Sequence, residues 1–525
     1  MTEVLRAPRL LHETLVAAAA SRAAHTAVVA DGVRHSYLEL LTGAQRVARA
    51  LQDHGITRGS AVALYMENSW AAAVSVYGIL LAGGVLTVIN PQTKTDKLAY
   101  MLADSEARVL IADARLATTF LPAVDEAPSV RAVLCAGALP AGGAPTARVT
   151  YVAFEEALAR GDVALSRTGT IPIDLAALIY TSGSTGHPKG VMLTHQNMVF
   201  AAGSITEYLR LGSDERILNV LPLAFDYGLY QLLMTVYLGA TLVLERSFAF
   251  PVPVLNRAIE EKVTVFPLVP TIAATLLSLK QRTDWVLPSV TRVTNTAAAL
   301  PAGFIPRLAS VFPNALIFPM YGLTECKRVS YLEPEMVDAK PTSVGKAIPG
   351  TEVFLLTPEG NEVPPGQPGI LHVRGPHVML GYWKQPTLTA QMLKPGRYPG
   401  ERVLCTHDVF MMDEEGFLYF VGRSDDIIKT RGEKVSPIEV ENVLHRLPGV
   451  REAAVIGVPD ELLGQAIRAF VVLEQGATLT EQDVKRACLA GLESFMVPRD
   501  VVFLSELPKT ATAKVRKKDL YDVPV

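Results

Sequence analysis

Residues 180–190 read YTSGSTGHPKG, a stretch rich in hydroxyl side chains and glycine that also carries a lysine. So many backbone N–H and side-chain O–H donors suit the binding of a polyphosphate, and Lys189 can place a cation on the phosphate oxygens. A Walker loop is excluded. After Gly183 and the four residues 184–187, that motif requires Gly-Lys-Ser/Thr, but the next residue is Pro188. The alternative is a flexible surface turn. Because the stretch directly follows a buried strand pattern, we predict a phosphate-binding loop.

The elements that would position this loop alternate along the chain. Apolar and β-branched runs at 108–114, 177–183, 240–245 and 263–270 are separated by helical patterns, which predicts parallel sheets covered by helices. After about residue 350 the runs become strand-like and are separated by Pro/Gly turns, which is typical of a small β-rich subdomain. The predicted fold class is therefore α/β.

The chain is too long for one hydrophobic core, so we predict two domains. Residues 1–424 would form a large N-terminal domain, and residues 425–525 a small α+β domain that begins in the polar stretch 422–426. The apolar segment 71–89 is long enough to resemble a membrane span, but its internal glycine pair favours a buried helix, a turn and a strand. We therefore predict no membrane span.

Composition restricts the partners and the compartment. The chain has 525 residues, is 49% hydrophobic and 19% charged, and carries a net charge of −3, so nothing indicates a nucleic acid partner. The N-terminus lacks the apolar run of a signal peptide. A cytoplasmic location is expected, because no metal or disulfide spacing connects the cysteines Cys135, Cys326, Cys405 and Cys488.

Four later stretches complete a pattern with the loop at 180–190. They are YGLTE at 321–325, THD at 406–408, GRSD at 422–425 with KTRG at 429–432, and LPKTATAK at 507–514. In this order they resemble the adenylate-forming superfamily of acyl-CoA synthetases, amino-acid adenylation domains and firefly-type luciferases. The resemblance covers nearly the whole chain. It implies a large N-terminal domain of two α/β subdomains and a β-rich subdomain, followed by a small mobile α+β lid.

The same resemblance implies a reaction in two steps. ATP and a carboxylate give an acyl-adenylate and pyrophosphate, and a thiol then displaces AMP. The β- and γ-phosphates would be held by Thr181, Ser182, Gly183, Ser184, Thr185 and Lys189. Tyr321 would stack on adenine, while Asp408 would accept hydrogen bonds from the ribose hydroxyls with help from Arg423. Thr324 would contact the α-phosphate, and Glu325 would bind Mg²⁺, a hard cation that prefers oxygen ligands.

Two residues of the lid region complete the implied machinery. Lys514 would bridge the carboxylate and the α-phosphate and stabilise charge in the transition state, although a lysine in this basic tail could also be solvated. Asp425 matches the hinge, about which the lid would bring residues 429–432 toward a thiol tunnel. The sequence departs from the family pattern at His407 and Ala513, where glycine is usual.

The resemblance places the acyl pocket along residues 221–230, and the substrate residues would be Phe225, Asp226, Tyr230, Thr296, Met320 and Gly322. Asp226 falls where amino-acid-activating members keep a carboxylate for the substrate's ammonium group. A carboxylate in an apolar pocket is costly unless a cation pairs with it. The alternative is that Asp226 caps the following helix. Lys327 and Arg328 could meet a second acidic group of the substrate, but we expect them to face solvent.

The main functional hypothesis is ATP-dependent adenylation of an amino acid, possibly a β-amino acid, with transfer to a carrier protein supplied in trans. The sequence is most similar to stand-alone enzymes that activate amino acids in natural-product pathways. The alternative is an acyl-CoA synthetase for a plain carboxylic acid, with coenzyme A as acceptor. A third hypothesis is a non-catalytic nucleotide-binding regulator, which the presence of Lys514, Glu325, Asp408 and Lys189 disfavours.

Overall fold

The computed structural model describes the chain in segments. They are residues 8–139, 148–159, 164–181, 188–280, 285–296, 303–423, 426, 428–430, 433–460, 463–492, 494–510 and 514–524.

The helices are α1 (Leu11–Arg22), α2 (Tyr37–Asp53), α3 (Trp70–Leu81), α4 (Thr95–Asp104), α5 (Ala117–Glu126), α6 (Phe154–Leu158), α7 (His195–Tyr208), α8 (Asp226–Leu238), α9 (Pro251–Glu260), α10 (Pro270–Lys280), α11 (Phe304–Leu308), α12 (Pro386–Met392), α13 (Pro437–Arg446) and α14 (Glu481–Gly491).

The strands of the N-terminal part are β1 (Thr26–Ala30), β2 (Val33–Ser36), β3 (Ala61–Tyr65), β4 (Val85–Ile89), β5 (Val109–Asp113), β6 (Ala132–Ala136), β7 (Thr150–Ala153), β8 (Leu175–Thr181), β9 (Lys189–Thr194), β10 (Arg216–Asn219), β11 (Thr241–Leu244), β12 (Val265–Leu268), β13 (Arg292–Asn295) and β14 (Leu316–Tyr321). Those that follow are β15 (Ser330–Tyr331), β16 (Ser343–Ala347), β17 (Glu352–Leu356), β18 (Pro368–Arg374), β19 (Gly381–Tyr382), β20 (Leu393–Pro395), β21 (Arg402–Met412), β22 (Leu418–Arg423), β23 (Ile428–Thr430), β24 (Glu433–Val435), β25 (Val450–Asp460), β26 (Gly464–Leu473) and β27 (Asp500–Phe503).

The first α/β subdomain is built on a sheet in the order β19-β9-β8-β4-β3-β5-β6-β7. Its central strands β4, β3, β5 and β6 pair in parallel and are almost wholly buried, as continuous apolar runs predict for a sheet covered on both faces. The apolar segment 71–89 forms most of α3, a turn with Gly83 at φ 78°, and β4, as predicted. In the part of the chain described here, no helix is long and apolar enough to cross a membrane.

The second α/β subdomain and the β-rich subdomain share one long sheet. Its parallel half runs β1-β11-β10-β12-β13-β14, and its other half continues through β15, β16, β22, β21, β18 and β17 with antiparallel pairing. The change of pairing falls at the end of β14, where the YGLTE stretch begins. This position places a polar segment at the carboxyl edge of the parallel strands, where ligands of open α/β sheets bind.

The C-terminal region forms a separate small sheet in the order β24-β23-β26-β25, with β27 parallel to β26. Helices α13 and α14 pack on one face of it, and two hydrophobic clusters of its own fill its core. The large N-terminal region with a small α+β C-terminal region agrees with the predicted architecture. The exact boundary that the sequence predicts, between residues 424 and 425, lies outside the described residues.

The segment that follows residues 180–190 begins as a strand, although its sequence pattern indicates a helix. The pattern of residues 191–200 predicts a helix, but Lys189–Thr194 forms strand β9, antiparallel to β8, and α7 begins only at His195. The pairing Thr181↔Lys189 closes the loop like a hairpin, and Thr194 caps α7 through its hydroxyl group. Backbone pairing with a buried neighbour has outweighed local helical preference.

Candidate active site

The two ends of the predicted phosphate loop are held by neighbouring strands. Thr181 ends β8 and faces Lys189, the first residue of β9. The Oγ1 atom of Thr181 is buried and has no hydrogen-bond partner within the described part of the protein. A buried hydroxyl without a partner is costly, and a phosphate oxygen would satisfy it. The predicted phosphate contacts of Ser182, Gly183, Ser184 and Thr185 lie outside the described residues.

Lys189 and Glu325 are joined by a tyrosine that sequence reasoning missed. The hydroxyl of Tyr382 donates to Glu325 Oε1 at 2.5 Å and accepts from Lys189 Nζ at 2.7 Å. Lys189 Nζ also lies 3.5 Å from Glu325 Oε1 and 4.1 Å from the centre of the Tyr382 ring. Strand β19 brings Tyr382 here because it pairs with β9. The only sequence signal was an aromatic pair, Tyr382-Trp383, after a buried run.

The surroundings of Glu325 fit a cation that is held mainly by phosphate. Its carboxylate is almost fully buried, and the part of the structure described here contains no cluster of three or more His, Cys, Asp or Glu side chains able to hold a metal ion. Mg²⁺ needs only one or two protein carboxylates when phosphate oxygens and water supply its other ligands. A single carboxylate beside Lys189, the lysine predicted to contact phosphate, is therefore a compatible donor set for Mg²⁺.

Tyr321 and Asp408 lie together on the long sheet. The hydroxyl of Tyr321 donates a hydrogen bond to Asp408 Oδ2, and burial, with Asp408 beside it, raises the pKa of Tyr321. The Tyr321 ring contacts Phe410 edge-on at 4.8 Å and stacks near Phe420 at 6.0 Å. Asp408 itself follows His407, whose φ of 58° lies in the left-handed region. Glycine, usual at that position in the resembling family, adopts this conformation without strain.

Asp408 pairs with Arg423 across β21 and β22 in the backbone ladder, so the two residues predicted to serve the ribose are neighbours in register. Nothing further can be said of the Arg423 side chain, and the predicted hinge residue Asp425 lies outside the described residues.

A small cavity brings together residues that are far apart in the sequence. It is lined by Phe225, Asp226, Thr296, Gly322, Leu323, Thr324, Lys327 and Lys514. Six of these are predicted site residues, and they come from α8, the end of β13, the YGLTE stretch and the C-terminal region. Its free volume of about 30 Å³ is roughly the share of a single water molecule in the liquid. Side chains, Lys327 among them, occupy the rest of the space.

Gly322 is required by close packing at this cavity. A Cβ atom at that position would lie 2.3 Å from the carbonyl oxygen of Lys327 and 3.0 Å from the Cα of Arg328. Tyr230 and Met320, also predicted to contact substrate, are buried behind the cavity wall and do not line it. Tyr230 packs its ring under Lys327, with Nζ 4.5 Å from the ring centre, and Met320 Sδ accepts a hydrogen bond from Tyr208.

Lys514 reaches the cavity from the C-terminal region. A short backbone turn positions it: Thr510 N–H donates to the Lys514 carbonyl at 2.7 Å, and Lys514 N–H donates to Thr510 Oγ1 at 3.1 Å. A bridge between Lys509 and Val515 closes the same turn. The lysine therefore shares one cavity with Thr324, although nearly two hundred residues separate them.

The expectation that Lys327 faces solvent is wrong. Its side chain is 3% exposed, and its ammonium nitrogen lies 3.3 Å from Asp226 Oδ2, which is also largely buried. Burial lowers the pKa of Lys327 to about 7, against the opposite effect of Asp226, and Arg328 lowers it further. The backbone of Lys327 is left-handed, with φ 63°, and this turns its side chain inward.

Both earlier interpretations of Asp226 change as a result. The cation that its buried carboxylate requires is supplied by the protein, so a substrate ammonium group is no longer needed to balance it. The helix-cap alternative is also wrong, because Phe225 holds the N-cap position and Asp226 is the first residue of α8. Its charge near the helix N-terminus is still favourable.

Arg328 is also buried, contrary to expectation. It is 1% exposed, and its Nε and Nη1 atoms have no hydrogen-bond partner among the residues described. Its guanidinium carbon lies 5.5 Å from the ring centre of Tyr227. Between Glu325 and these two cations, Cys326 is fully buried, and burial raises its pKa. A thiol in this state is not a nucleophile.

Comparison with known proteins supports a single family for the whole chain. The AMP-binding enzyme family profile matches residues 15–383, and that of the AMP-binding enzyme C-terminal domain matches residues 439–514. A long-chain-fatty-acid–CoA ligase of Bacillus subtilis is 31% identical over 537 residues, 98% of this chain and 94% of the relative. A feruloyl-CoA synthase of an Amycolatopsis species is 33% identical over 504 residues, 94% of this chain and 95% of the relative.

A solved structure shows the same architecture. The crystal structure of the anthranilate CoA ligase AuaEII in complex with anthranoyl-AMP superposes with a TM-score of 0.90 at 28% sequence identity. The match covers 98% of this chain and 96% of the other.

Proposed function

The chain belongs to the AMP-binding enzymes, the adenylate-forming superfamily, and is an AMP-forming carboxylate–thiol ligase; from that premise we propose that it transfers the acyl group of a carboxylic acid to coenzyme A. The observation that carries the proposal is that Lys514 and Thr324 line one cavity together with Phe225 and Asp226, the N-cap and first residue of α8.

The preference for coenzyme A over the amino-acid and carrier-protein hypothesis rests on two observations. Asp226 already has Lys327 as its cation, so the pocket does not call for a substrate ammonium group. The relatives compared above are named as ligases that form coenzyme A thioesters of a fatty acid, ferulate and anthranilate. We extend that acceptor to this chain.

In the first half-reaction a carboxylate oxygen of the acid attacks the α-phosphorus of ATP, and pyrophosphate leaves. Lys514 would hold the attacking carboxylate and the α-phosphate together, because it lines the same cavity as Thr324. Lys189 would neutralise charge on the departing pyrophosphate, and Asp408 and Tyr321 would hold the nucleoside. Bound Mg²⁺, with Glu325 as its protein ligand, supplies further positive charge to the phosphates.

In the second half-reaction the thiol of coenzyme A attacks the acyl carbon, and AMP leaves with the electron pair of the broken C–O bond. Lys514 must withdraw for the thiol to approach the acyl carbon. We assign that movement to rotation of the C-terminal region about Asp425, the hinge position implied by the family resemblance.

The test is ATP–pyrophosphate exchange followed by thioester formation. A panel would pair α- and β-amino acids with the carboxylic acids that lack the amine, each with coenzyme A as acceptor. We expect the plain acids to support exchange and to give coenzyme A thioesters. Exchange with amino acids alone, together with no thioester on coenzyme A, would overturn the proposal in favour of transfer to a carrier protein.

A further inference from the structure

Arg328 is a buried guanidinium group without a matching acid. It is 1% exposed, Nε and Nη1 find no hydrogen-bond partner within the described segments, and those segments contain no carboxylate in an ion pair with it. Leaving a buried charge without hydrogen bonds or a counter-ion costs several kcal/mol. A buried guanidinium group of this kind is suited to binding an anion.

Arg328 lies directly behind the wall of the small cavity that Asp226, Thr324 and Lys514 line, which we call the acyl cavity. Its Cα is 3.0 Å from the position that a Cβ would occupy on Gly322, a cavity-lining residue. Its guanidinium carbon and the ammonium nitrogen of Lys327 each lie 5.5 Å from the ring centre of Tyr227. The two cations therefore flank one aromatic ring beside Asp226.

The charges at this end of the cavity do not balance. Asp226 and Lys327 lie within ion-pair distance of each other, while Arg328 has no carboxylate at that distance among the described residues. Lys514, also at the cavity, belongs to the reacting carboxylate and the α-phosphate in the proposed mechanism. Glu325 is occupied by Tyr382 and Lys189. Arg328, behind the wall of the cavity, therefore has no counter-ion among the described residues.

We propose that the acid activated by this enzyme is a dicarboxylic acid, whose second carboxylate is bound by Arg328 together with Lys327. The inference rests on the proposed function and adds the substrate class. A guanidinium group is a strong donor to carboxylate oxygens, and Nε and Nη1 of Arg328 have no hydrogen-bond partner among the described residues, so each can donate to a carboxylate. Asp226 then has the role of holding Lys327 in place.

The experiment compares matched acids by ATP–pyrophosphate exchange. Succinate, glutarate and adipate would each be measured beside the monoamide of the same acid and the straight-chain monocarboxylic acid of similar length. We expect kcat/KM for the preferred diacid to exceed that for its monoamide by on the order of 100-fold, because the neutral amide leaves Arg328 uncompensated. The same comparison with the monophosphonate of the acid tests whether the site prefers planar carboxylate to other anions.

Variants of Arg328 test the assignment directly. Arg328→Gln should reduce exchange with the diacid to the level of the monoamide, so that the ratio of kcat/KM between the two acids falls to about one. Arg328→Lys keeps the charge but loses the paired donors, and should give an intermediate value. Arg307→Gln, at a guanidinium outside the cavity, is the matched control and should behave as wild type. A shift in Tm on adding AMP shows that each variant still folds and binds nucleotide.

Two results would overturn the inference. The first is a wild-type enzyme that uses a monoamide or monocarboxylic acid as well as the diacid. The second is a folded Arg328→Gln enzyme that still prefers the diacid. Failure of the proposed function would look different, because then no plain carboxylic acid of any class would support exchange.

Discussion

The ammonium nitrogen of Lys327 lies 3.3 Å from Oδ2 of Asp226; both residues line the small cavity, and both side chains are largely buried. The two residues are adjacent through folding alone, since Asp226 begins α8 and Lys327 follows the turn after β14. Tyr230 lies against the pair, with its ring centre 4.5 Å from Lys327 Nζ. The protein itself thus supplies the counter-ion of a largely buried carboxylate.

Breaking that pair should destabilise the protein. Asp226→Asn leaves the Lys327 ammonium group buried without a carboxylate, and we expect the free energy of unfolding to fall by about 3 kcal/mol. The measurement is urea denaturation of the variant and of wild type at the same pH. Asp31→Asn, which removes a largely exposed partner of Arg246, is the control and should change stability by less than about 1 kcal/mol.

A double variant of Asp226 and Lys327 measures the interaction between the two side chains separately from the interaction of each with its surroundings. Lys327→Met fills much of the same space without charge, so Asp226→Asn with Lys327→Met should be more stable than Asp226→Asn alone. If the two single losses simply add in the double variant, the side chains do not interact, and the structural assignment fails.

Lys514→Ala should lower adenylate formation by at least about 100-fold, because it removes the ammonium group of a residue that lines the cavity with Thr324. Thioester formation from a supplied acyl-adenylate should be largely spared. Pyrophosphate exchange and coenzyme A thioester formation are measured separately. Lys509→Ala is the matched control, since Lys509 lies in the same turn but is 2.6 Å from Glu452. An equal loss in both half-reactions would contradict the assignment.

Tyr382→Phe should affect the Mg²⁺ dependence of the first step. The variant loses the hydroxyl that lies between Lys189 and Glu325, so both side chains lose a hydrogen bond that orients them. We expect the exchange rate to fall by about tenfold and half-maximal activity to require more Mg²⁺, with a loss of roughly 1–2 kcal/mol in stability. Tyr398→Phe, at a largely exposed tyrosine, is the control. An unchanged Mg²⁺ titration would rule out this role of Tyr382.

His195 should make the fold sensitive to acid. Its Nδ1 accepts a hydrogen bond from the Leu11 N–H at 3.2 Å, which requires that nitrogen to be unprotonated. Burial lowers the pKa of His195 to about 4; the nearby His12 acts in the same direction, while Asp174 and Glu13 oppose it. Between pH 6.5 and 4 the unfolded chain therefore binds more protons than the folded chain, and stability falls as pH falls through that range.

The loss attributable to His195 approaches about 3 kcal/mol at the acid end of this range. His195→Gln keeps a hydrogen-bond acceptor but does not titrate, so its stability should depend less on pH between 6.5 and 4. The measurement is the denaturation midpoint of the variant and of wild type across that range. An equally steep slope for His195→Gln would show that other groups cause it.

Local sequence patterns were sufficient to predict the layered α/β architecture and the family. Buried runs such as Ala61–Tyr65 and Val85–Ile89 are continuous and apolar because parallel strands are covered on both faces. The glycine and hydroxyl pattern at 180–190 and the stretch at 507–514 that contains Lys514 are short motifs. They indicate the family without any knowledge of long-range packing. Element ends were less predictable, as strand β9 shows, because pairing with β8 decided the conformation of residues 189–194.

By itself, the sequence determined the class of chemistry, a ligase that activates a carboxylate with ATP, and it predicted a loop for phosphate and a lysine that would reach the reaction. Only the tertiary structure decided which charges meet in the acyl pocket. Lys327 and Arg328 have the polar character of surface residues, and nothing local to them predicts burial. Both are buried in the fold, where Asp226 pairs with Lys327 while Nε and Nη1 of Arg328 have no partner among the described residues. Charge pairing across distant segments is a property of the folded chain, so no local pattern can predict it.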